Sequence, residues 1–297
     1  MTCSGLPVYC AASLPTLSPS PMIAYSPREL YLQNFHDRVA GATSAAFASL
    51  PAKTSFREYK SSYDVLCSLV LESPSPRTVL DVACGDGHLL SLLSDSSCPL
   101  QLIGVDISQG DLDIARAALP GNVRLLRERA QEMSLGTGSV DIVVSHMALM
   151  LMDDIEQVLQ EIRRVLLPGG TLAVVVGRSF LLGEANDVFL DLFRPIASQS
   201  LPPLKLGDRR TGSVEGWVEL LRTGFEDWHF EDIDVPWAPA PQELWQALTE
   251  TYDVDRLPHE ARSQLRDQLI PAWAALQDDC GHIHTGWGLR LVRAQAC

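Results

Sequence analysis

The chain has 297 residues, of which 46% are hydrophobic, which is enough for one large α/β domain or two small domains. It carries 37 Asp and Glu residues against 23 Lys and Arg residues, for a formal net charge of −14. A protein that holds a nucleic-acid backbone needs a basic surface, so this acidity argues against DNA or RNA as the main partner.

The cysteines and the N-terminus bear on the compartment of the protein. The seven cysteines are scattered, and no two of them form a C-x-x-C pair, which is typical of reduced thiols rather than of a disulfide framework or a zinc knuckle. The N-terminus lacks the charged and apolar regions of a signal peptide. No apolar stretch of the sequence reaches the length of a membrane span. We therefore expect a cytoplasmic protein with no membrane association.

The first quarter of the chain precedes the predicted sheet. Residues 1–25 are rich in Ser, Pro, Ala and Leu, and they are predicted to form a disordered arm. Residues 26–75 have apolar side chains at helical spacing, which predicts N-terminal helices. The Ser-Pro-Ser-Pro sequence at 73–76 ends them, because Pro disfavours the helical conformation in the residue before it.

Residues 76–180 alternate between short apolar runs and amphipathic stretches. The helix predicted over 153–167 places its apolar residues on one face. Five alternations of this kind predict a parallel sheet with helices on both faces. The apolar runs that predict its strands are 78–83, 100–107, 122–126, 140–145 and 171–177.

The last third of the chain is less regular. Residues 181–224 have helical and loop character, and we predict that they form a cap inserted over the site. Residues 225–297 begin and end with strand-like alternation, with helical stretches between, and are predicted to complete the sheet. The sequence therefore predicts an α/β, doubly wound architecture with N-terminal helices and a helical cap.

The most informative segment is Val79–Leu90, which runs from a strand through a glycine-containing turn into a helix. In open α/β folds such a turn lies at the carboxyl ends of the strands, where ligands bind. Asp106 ends the next strand, 19 residues after Gly87, where a carboxylate would reach a ribose diol. Leu90 replaces the third glycine of the dinucleotide-binding pattern, and Asp86 places an acid in the turn. A cationic sulfonium therefore suits this turn better than a pyrophosphate does.

The sequence DVACGDG at 81–87 resembles motif I of the class I S-adenosylmethionine (SAM)-dependent methyltransferases. The likeness covers residues 76–177 and includes the sequences GVDIS, VDIVVSHMALM and EIRRVLLPGGTLAVVV. It is closest to the small-molecule, ubiquinone-biosynthesis-like branch of the family. The resemblance implies a Rossmann-like sheet of seven strands with the last strand antiparallel. It also implies SAM as the cofactor and a small molecule as the methyl acceptor.

The resemblance also implies which residues contact the cofactor. Asp81 would orient the methionine end, Asp106 would take the ribose hydroxyls, and Ile107 would pack on the adenine. Arg129 stands where the family usually has Asp, so a carboxylate contact to the adenine amine is not expected from that position. The other implied cofactor contacts are Tyr59, Ala83, Cys84, Gly85, Gly87, Ala130, Gln131 and Ser145.

Two residues at strand ends are candidates for catalysis. His146 ends the fourth strand and could act as a general base, and Arg178 ends the fifth strand and could bind a carboxylate. His282 and His284 are two residues apart in the segment predicted as the last strand, so they would point to the same side. In this family that strand begins at the cofactor edge. The three histidines could therefore gather there and bind a divalent metal ion.

Three functions follow from these candidates. A histidine-bound metal would suit C-methylation of a 2-oxo acid, because it would chelate the acid and acidify the adjacent C–H. The first alternative is metal-free O- or N-methylation of a natural-product intermediate with His146 as the general base. The second is a non-catalytic SAM-binding partner subunit. A homodimer is compatible with the sequence, which does not determine the oligomeric state.

Overall fold

The computed structural model describes residues 25–72, 77–201 and 206–297, so the predicted arm lies outside the described residues except for Tyr25. Within them the helices are α1 (Pro27–Arg38), α2 (Ala42–Phe47), α3 (Ser62–Leu71), α4 (His88–Ser94), α5 (Gln109–Ala118), α6 (Ile155–Val165), α7 (Glu184–Ser200), α8 (Val214–Leu221), α9 (Pro241–Thr249), α10 (Tyr252–Asp255) and α11 (His259–Ala274). The strands are β1 (Ala52–Lys53), β2 (Glu58–Tyr59), β3 (Arg77–Val82), β4 (Leu100–Asp106), β5 (Arg124–Arg127), β6 (Val140–His146), β7 (Leu166–Ser179), β8 (Phe225–Trp237) and β9 (Thr285–Ala296).

One sheet joins all of these strands in the order β2-β1-β8-β9-β7-β6-β3-β4-β5. Strands β3 to β7 are parallel, and β9 pairs antiparallel with both β7 and β8. The doubly wound α/β prediction with an antiparallel last strand is confirmed, but the predicted number of seven strands is wrong. The described part of the sheet has nine strands, because β1 and β2 form a short antiparallel pair beside β8. Strands of two residues carry no period-2 signal, so the sequence pattern misses them.

Local sequence signals set the ends of the helices that flank the site. Ser26 begins α1 with a capping box: its side chain accepts from the Glu29 amide, and the Glu29 side chain accepts from the Ser26 amide. Ser108 caps α5 by accepting from the Asp111 amide at 3.1 Å. Both helices therefore begin at fixed positions near the carboxyl edge of the sheet.

The helices bury the two faces of the sheet in two apolar layers. The layer on one face includes Leu66 of α3, Leu90 of α4 and Leu265 of α11. The layer on the other face includes Ile162 of α6 and Trp217 of α8. Each layer removes apolar side chains from water, and together they hold the carboxyl edge of the parallel strands rigid. No helix in the described ranges combines the length and the apolar composition that crossing a membrane requires.

The segment 181–224 does not form the expected cover over the site. Helix α7 packs on α11, where the indole N–H of Trp273 donates to the Ala185 carbonyl at 3.2 Å. Helix α8 lies on the opposite face of the sheet, where Trp217 is fully buried. Two cavities open at the carboxyl edge of the sheet, and none of the described residues of this segment lines either of them. The cover comes instead from α1, α2 and the α9–α10 region.

Candidate active site

A narrow cleft opens at the carboxyl ends of β3, β4 and β6, with the turn after β3 as its floor. Ala83 and Gly85 in that turn adopt left-handed backbone conformations, with φ of 57° and 54°. Gly87 begins α4 at φ 79° and does not line the cleft. A Cβ atom at Gly87 would lie 2.8 Å from Cδ1 of Leu119, so glycine here allows α4 to pack against the end of α5.

Buried carboxylates surround this turn. Asp106 accepts hydrogen bonds from the Gly85 and Ser108 amides, each at 2.8 Å, and Asp81 is buried beside it. Burial raises the pKa of Asp81 well above its usual value, and the charges of Asp106 and Asp86 raise it further. Burial also raises the pKa of Asp106, although the two amide hydrogen bonds oppose this shift. A positively charged guest would relieve the mutual repulsion of these acids.

Side chains of α1 and α10 close the cleft from above. His36 Nδ1 lies 3.0 Å from Asp111 Oδ2, and His36 Nε2 shares a hydrogen bond with the Tyr252 hydroxyl at 2.8 Å. Burial opposes protonation of His36, but its hydrogen bond with Asp111 and the Asp111 charge outweigh that effect and raise its pKa. Asp111 also accepts from the Gly41 amide at 2.7 Å, which fixes the start of α2 to α5.

Two ion pairs hold α1 in this position. Arg129 Nη2 lies 2.6 Å from Glu29 Oε1, and the Glu29 side chain is largely buried. Arg28 Nη1 lies 2.8 Å from Asp153 Oδ1, and Ser26 donates a hydrogen bond to the same carboxylate. Arg129, which stands where the family usually has Asp, therefore fastens the cover rather than lining the cleft.

His146 lies at the inner end of the cleft. Its ring stacks on Tyr63, with centroids 3.8 Å apart and planes 22° apart, and its Nε2 shares a 2.8 Å hydrogen bond with Ser62 Oγ. Burial, and to a smaller degree the charge of His88, lowers the pKa of His146 to about 3. Its Nδ1 is buried with no hydrogen-bond partner in the described part of the chain. The imidazole is therefore neutral at physiological pH.

A second cavity of about 550 Å³ adjoins the cleft and is of the size that small-molecule sites have. Ala42, Thr43, Met147, Leu151 and Tyr252 line both cavities and so form their junction. The wall of the second cavity is mainly aromatic and aliphatic. Its large apolar side chains are Phe35, Phe47, Leu50, Met150, Phe180, Trp237, Trp287 and Leu289.

Arg178 lines this second cavity and is engaged in two ion pairs with acids. Its Nη2 lies 2.6 Å from Asp234 Oδ1, and its Nε lies 3.5 Å from Asp232 Oδ2. Both aspartates are on β8, two strands away from Arg178 in the order of the sheet. Arg178 therefore bridges across β9 to two acids, one of which, Asp232, also pairs with Arg290 at 2.8 Å.

The predicted metal-binding trio of His146, His282 and His284 is not formed. Strand β9 begins at Thr285 rather than at His282, so both later histidines lie in the loop before it. Both are exposed, and His284 Nε2 lies 3.0 Å from Asp278 Oδ2, whereas His146 is buried. Within the described ranges no group of three or more His, Cys, Asp or Glu side chains could hold a metal ion.

The structure brings most of the predicted cofactor residues to one cleft. Those that line it are Asp81, Ala83, Cys84, Gly85, Asp106, Ile107, Ala130, Gln131 and His146. Tyr59, Gly87 and Ser145 do not line it. Tyr59 lies on β2 at the sheet edge, with the Arg57 guanidinium 4.4 Å above its ring. The Ser145 side chain is buried on β6.

Several residues that line the cleft were missed by the sequence analysis. They are Tyr63 of α3, the residues 41–44 around the start of α2, and His36 and Tyr252. Gly41, in a left-handed conformation at φ 77°, was the available signal, since a glycine between two helical patterns marks a turn. His36 and Tyr252 meet although they are 216 residues apart in the chain, and no local pattern reports such a contact.

The fold and the cleft place the chain among the doubly wound α/β proteins, which bind ligands at the carboxyl edge of the parallel sheet. Residues 80–174 match the family model described as a methyltransferase domain. The chain is 35% identical over 144 residues to a malonyl-[acyl-carrier protein] O-methyltransferase of Methylovorus sp. (strain MP688), covering 46% of each protein. It is 31% identical over 153 residues to a trans-aconitate 2-methyltransferase of Acidovorax sp. (strain JS42), covering 50% of this chain and 57% of the relative.

The matched segments thus span about half the length of these curated relatives. Among solved structures, the chain is similar to Haemonchus contortus phospholethanolamine N-methyltransferase 2, solved in complex with phosphomonomethylethanolamine and S-adenosylhomocysteine. The TM-score is 0.54 at 19% identity, over 92% of this chain and 60% of the other. At that identity the likeness shows the fold alone.

Proposed function

We propose that this protein transfers a methyl group from SAM to a small, largely apolar acceptor. The observation that carries the proposal is the acid-lined cleft at the motif 81–87, joined directly to an apolar cavity of small-molecule size. The methyltransferase-domain match over residues 80–174 supports the same function. The cofactor would occupy the cleft, and the acceptor would occupy the second cavity.

The residues of the cleft fit the chemistry of SAM. Its sulfonium and ammonium groups are cations, and they would offset the burial and the neighbouring charges that raise the pKa of Asp81, and the burial that raises the pKa of Asp106. Asp106, held by two amides, would receive the ribose hydroxyls, and Ala130 and Ile107 would contact the adenine. When bound, SAM supplies a methyl group on a sulfonium that is already a good leaving group. The protein then needs mainly to position a nucleophile.

His146 supports this positioning rather than a strong general-base role. Because its pKa is about 3, it is a weak base at neutral pH, and efficient base catalysis needs a pKa near the working pH. Held by Ser62 and Tyr63, the neutral ring would form a fixed, uncharged wall at the inner end of the cleft. This arrangement suits an acceptor atom that is nucleophilic without prior deprotonation by the protein.

The metal-free O- or N-methylation alternative is therefore the form we propose. Metal-assisted C-methylation of a 2-oxo acid would need a metal site and a cation for the carboxylate. The histidine trio is not formed, and Arg178 is paired with Asp232 and Asp234.

The test is a pair of measurements on the purified chain. Calorimetric titration with S-adenosylhomocysteine should show one site per chain. Incubation with methyl-labelled SAM and a panel of apolar amines and alcohols should transfer label to an organic product. Failure to bind the nucleoside would overturn the proposal. Tight binding without transfer to any acceptor would favour a non-catalytic SAM-binding subunit.

A further inference from the structure

The charges around the acceptor cavity restrict what it can hold, given that it serves the function proposed above. Arg178 is the basic residue among the described residues that line this cavity, and it already pairs with Asp232 and Asp234. Two acids, Glu250 and Asp253, also line the cavity. Of the described residues that line the cavity, two are acidic and one is basic, so its wall carries a net negative charge.

Asp253 is the better placed of the two acids. It is partly buried on α10, next to Tyr252, which lies at the junction of the two cavities. Its carboxylate makes no hydrogen bond with any described residue, and burial raises its pKa while the charge of Arg256 lowers it. A carboxylate held partly out of water without a hydrogen-bond donor is costly, so a ligand that brings a donor would be favoured. Glu250 is exposed at the rim.

The aromatic wall of the cavity favours the same kind of ligand. The Trp287 ring lies 5.8 Å from the Phe47 ring and 5.8 Å from the Phe180 ring, the latter at 86°. Trp237 completes this wall. Aromatic faces attract cations as well as apolar groups, so the wall is compatible with a positively charged nitrogen next to an apolar body.

We propose that the acceptor is an apolar molecule with a basic nitrogen, which the carboxylate of Asp253 holds as an ammonium ion in a hydrogen-bonded ion pair. This ion pair anchors the molecule, and the methyl group goes to another atom of it, because a protonated nitrogen has no lone pair. Glu250 adds negative charge at the entrance, and acceptors with a carboxylate are disfavoured. Trans-aconitate, for which one of the relatives reported above is named, carries carboxylates and would be disfavoured in this cavity.

A matched set of indole probes tests this proposal, because only the charge of the side chain changes. Tryptamine, tryptophol and indole-3-propionate are titrated separately into the full chain saturated with S-adenosylhomocysteine. We expect tryptamine to bind about tenfold or more tighter than indole-3-propionate, with tryptophol between them. The Asp253→Asn variant should lose about tenfold in tryptamine affinity and leave tryptophol nearly unchanged. The control Glu226→Gln removes an exposed acid of β8 that lines neither cavity and should keep the full preference.

The outcome that overturns the inference is equal or tighter binding of the acid, an unchanged preference in Asp253→Asn, or no binding of tryptamine at millimolar concentration. Binding of S-adenosylhomocysteine is measured first in every variant, and it reports folding and the cleft independently. If the nucleoside binds and the amine preference is absent, the inference fails while the proposed function stands. If the nucleoside itself does not bind, it is the proposed function that fails.

Discussion

Asp106 illustrates how a single carboxylate can be prepared for a ligand. The amides of Gly85 and Ser108 orient its carboxylate and favour its charged form. Burial has the opposite and larger effect and raises its pKa. We expect Asp106→Asn to weaken S-adenosylhomocysteine binding by about 10- to 100-fold, because a hydrogen bond to a charged group contributes roughly 1.5–3 kcal/mol. Calorimetric titration measures this loss. Asp113→Asn, an exposed acid of the same region, serves as the matched control, and a similar loss there would refute the assignment.

His146 carries a prediction about the pH dependence of stability. Its pKa is 6.5 in the unfolded chain and about 3 in the folded protein, so below pH 6.5 the unfolded chain takes up a proton that the folded protein does not. The stability it supports is therefore present above pH 6.5 and is lost as the pH falls from 6.5 towards 3. The slope from this residue alone is about 1 kcal/mol per pH unit.

Urea unfolding of the natural chain and of His146→Asn, at several pH values between 7 and 5, isolates this effect. His36 and the buried acids titrate in both proteins, so their contributions cancel in the difference. The difference in the free energy of unfolding between the natural chain and His146→Asn should become smaller as the pH falls. A difference that does not change with pH would show that folding does not lower the pKa of His146.

At the scale of elements, helix α1 covers the cleft, and two ion pairs hold it in that position. Arg129→Ala should leave the buried Glu29 carboxylate without its cation and with the hydrogen bond from the Ser26 amide, which costs roughly 1–3 kcal/mol and favours release of α1 from the cleft. We expect faster amide hydrogen exchange over 27–38 and about three- to tenfold weaker S-adenosylhomocysteine binding. Arg116→Ala removes an exposed pair with Asp113, and it should change neither measurement appreciably. Unchanged exchange in Arg129→Ala would mean that α1 is held by other contacts.

At the scale of the whole molecule, β9 joins the parallel half of the sheet to its outer strands. Val292 on β9 pairs with Val174 of β7 and with Phe230 of β8, and it is completely buried. Val292→Ala should lower the free energy of unfolding by about 2 kcal/mol in urea denaturation, through lost burial and an unfilled cavity. Gln295→Ala on the same strand, where the side chain is half-buried, should change it by less than about 0.5 kcal/mol. Equal effects would show that β9 is not part of the central core.

The sequence by itself determined the features that depend on neighbouring residues. The alternation of apolar runs predicted the parallel strands, and the turn at 81–87 followed by Asp106 predicted a cleft that the structure places at the carboxyl edge. These signals are local because strand period, helix period and glycine torsions each involve a few consecutive residues. The same reasoning failed for β1 and β2, which are too short to show a period.

Only the tertiary structure decided what surrounds that cleft. It separated His282 and His284 from His146, because β9 begins three residues later than the pattern predicted. It paired Arg178 with Asp232 and Asp234, more than 50 residues further along the chain. It also brought Tyr252 against His36 to complete the cover. The physical reason is the same in each case: ion pairs, burial and cavities depend on side chains distant in sequence, and no local period encodes them.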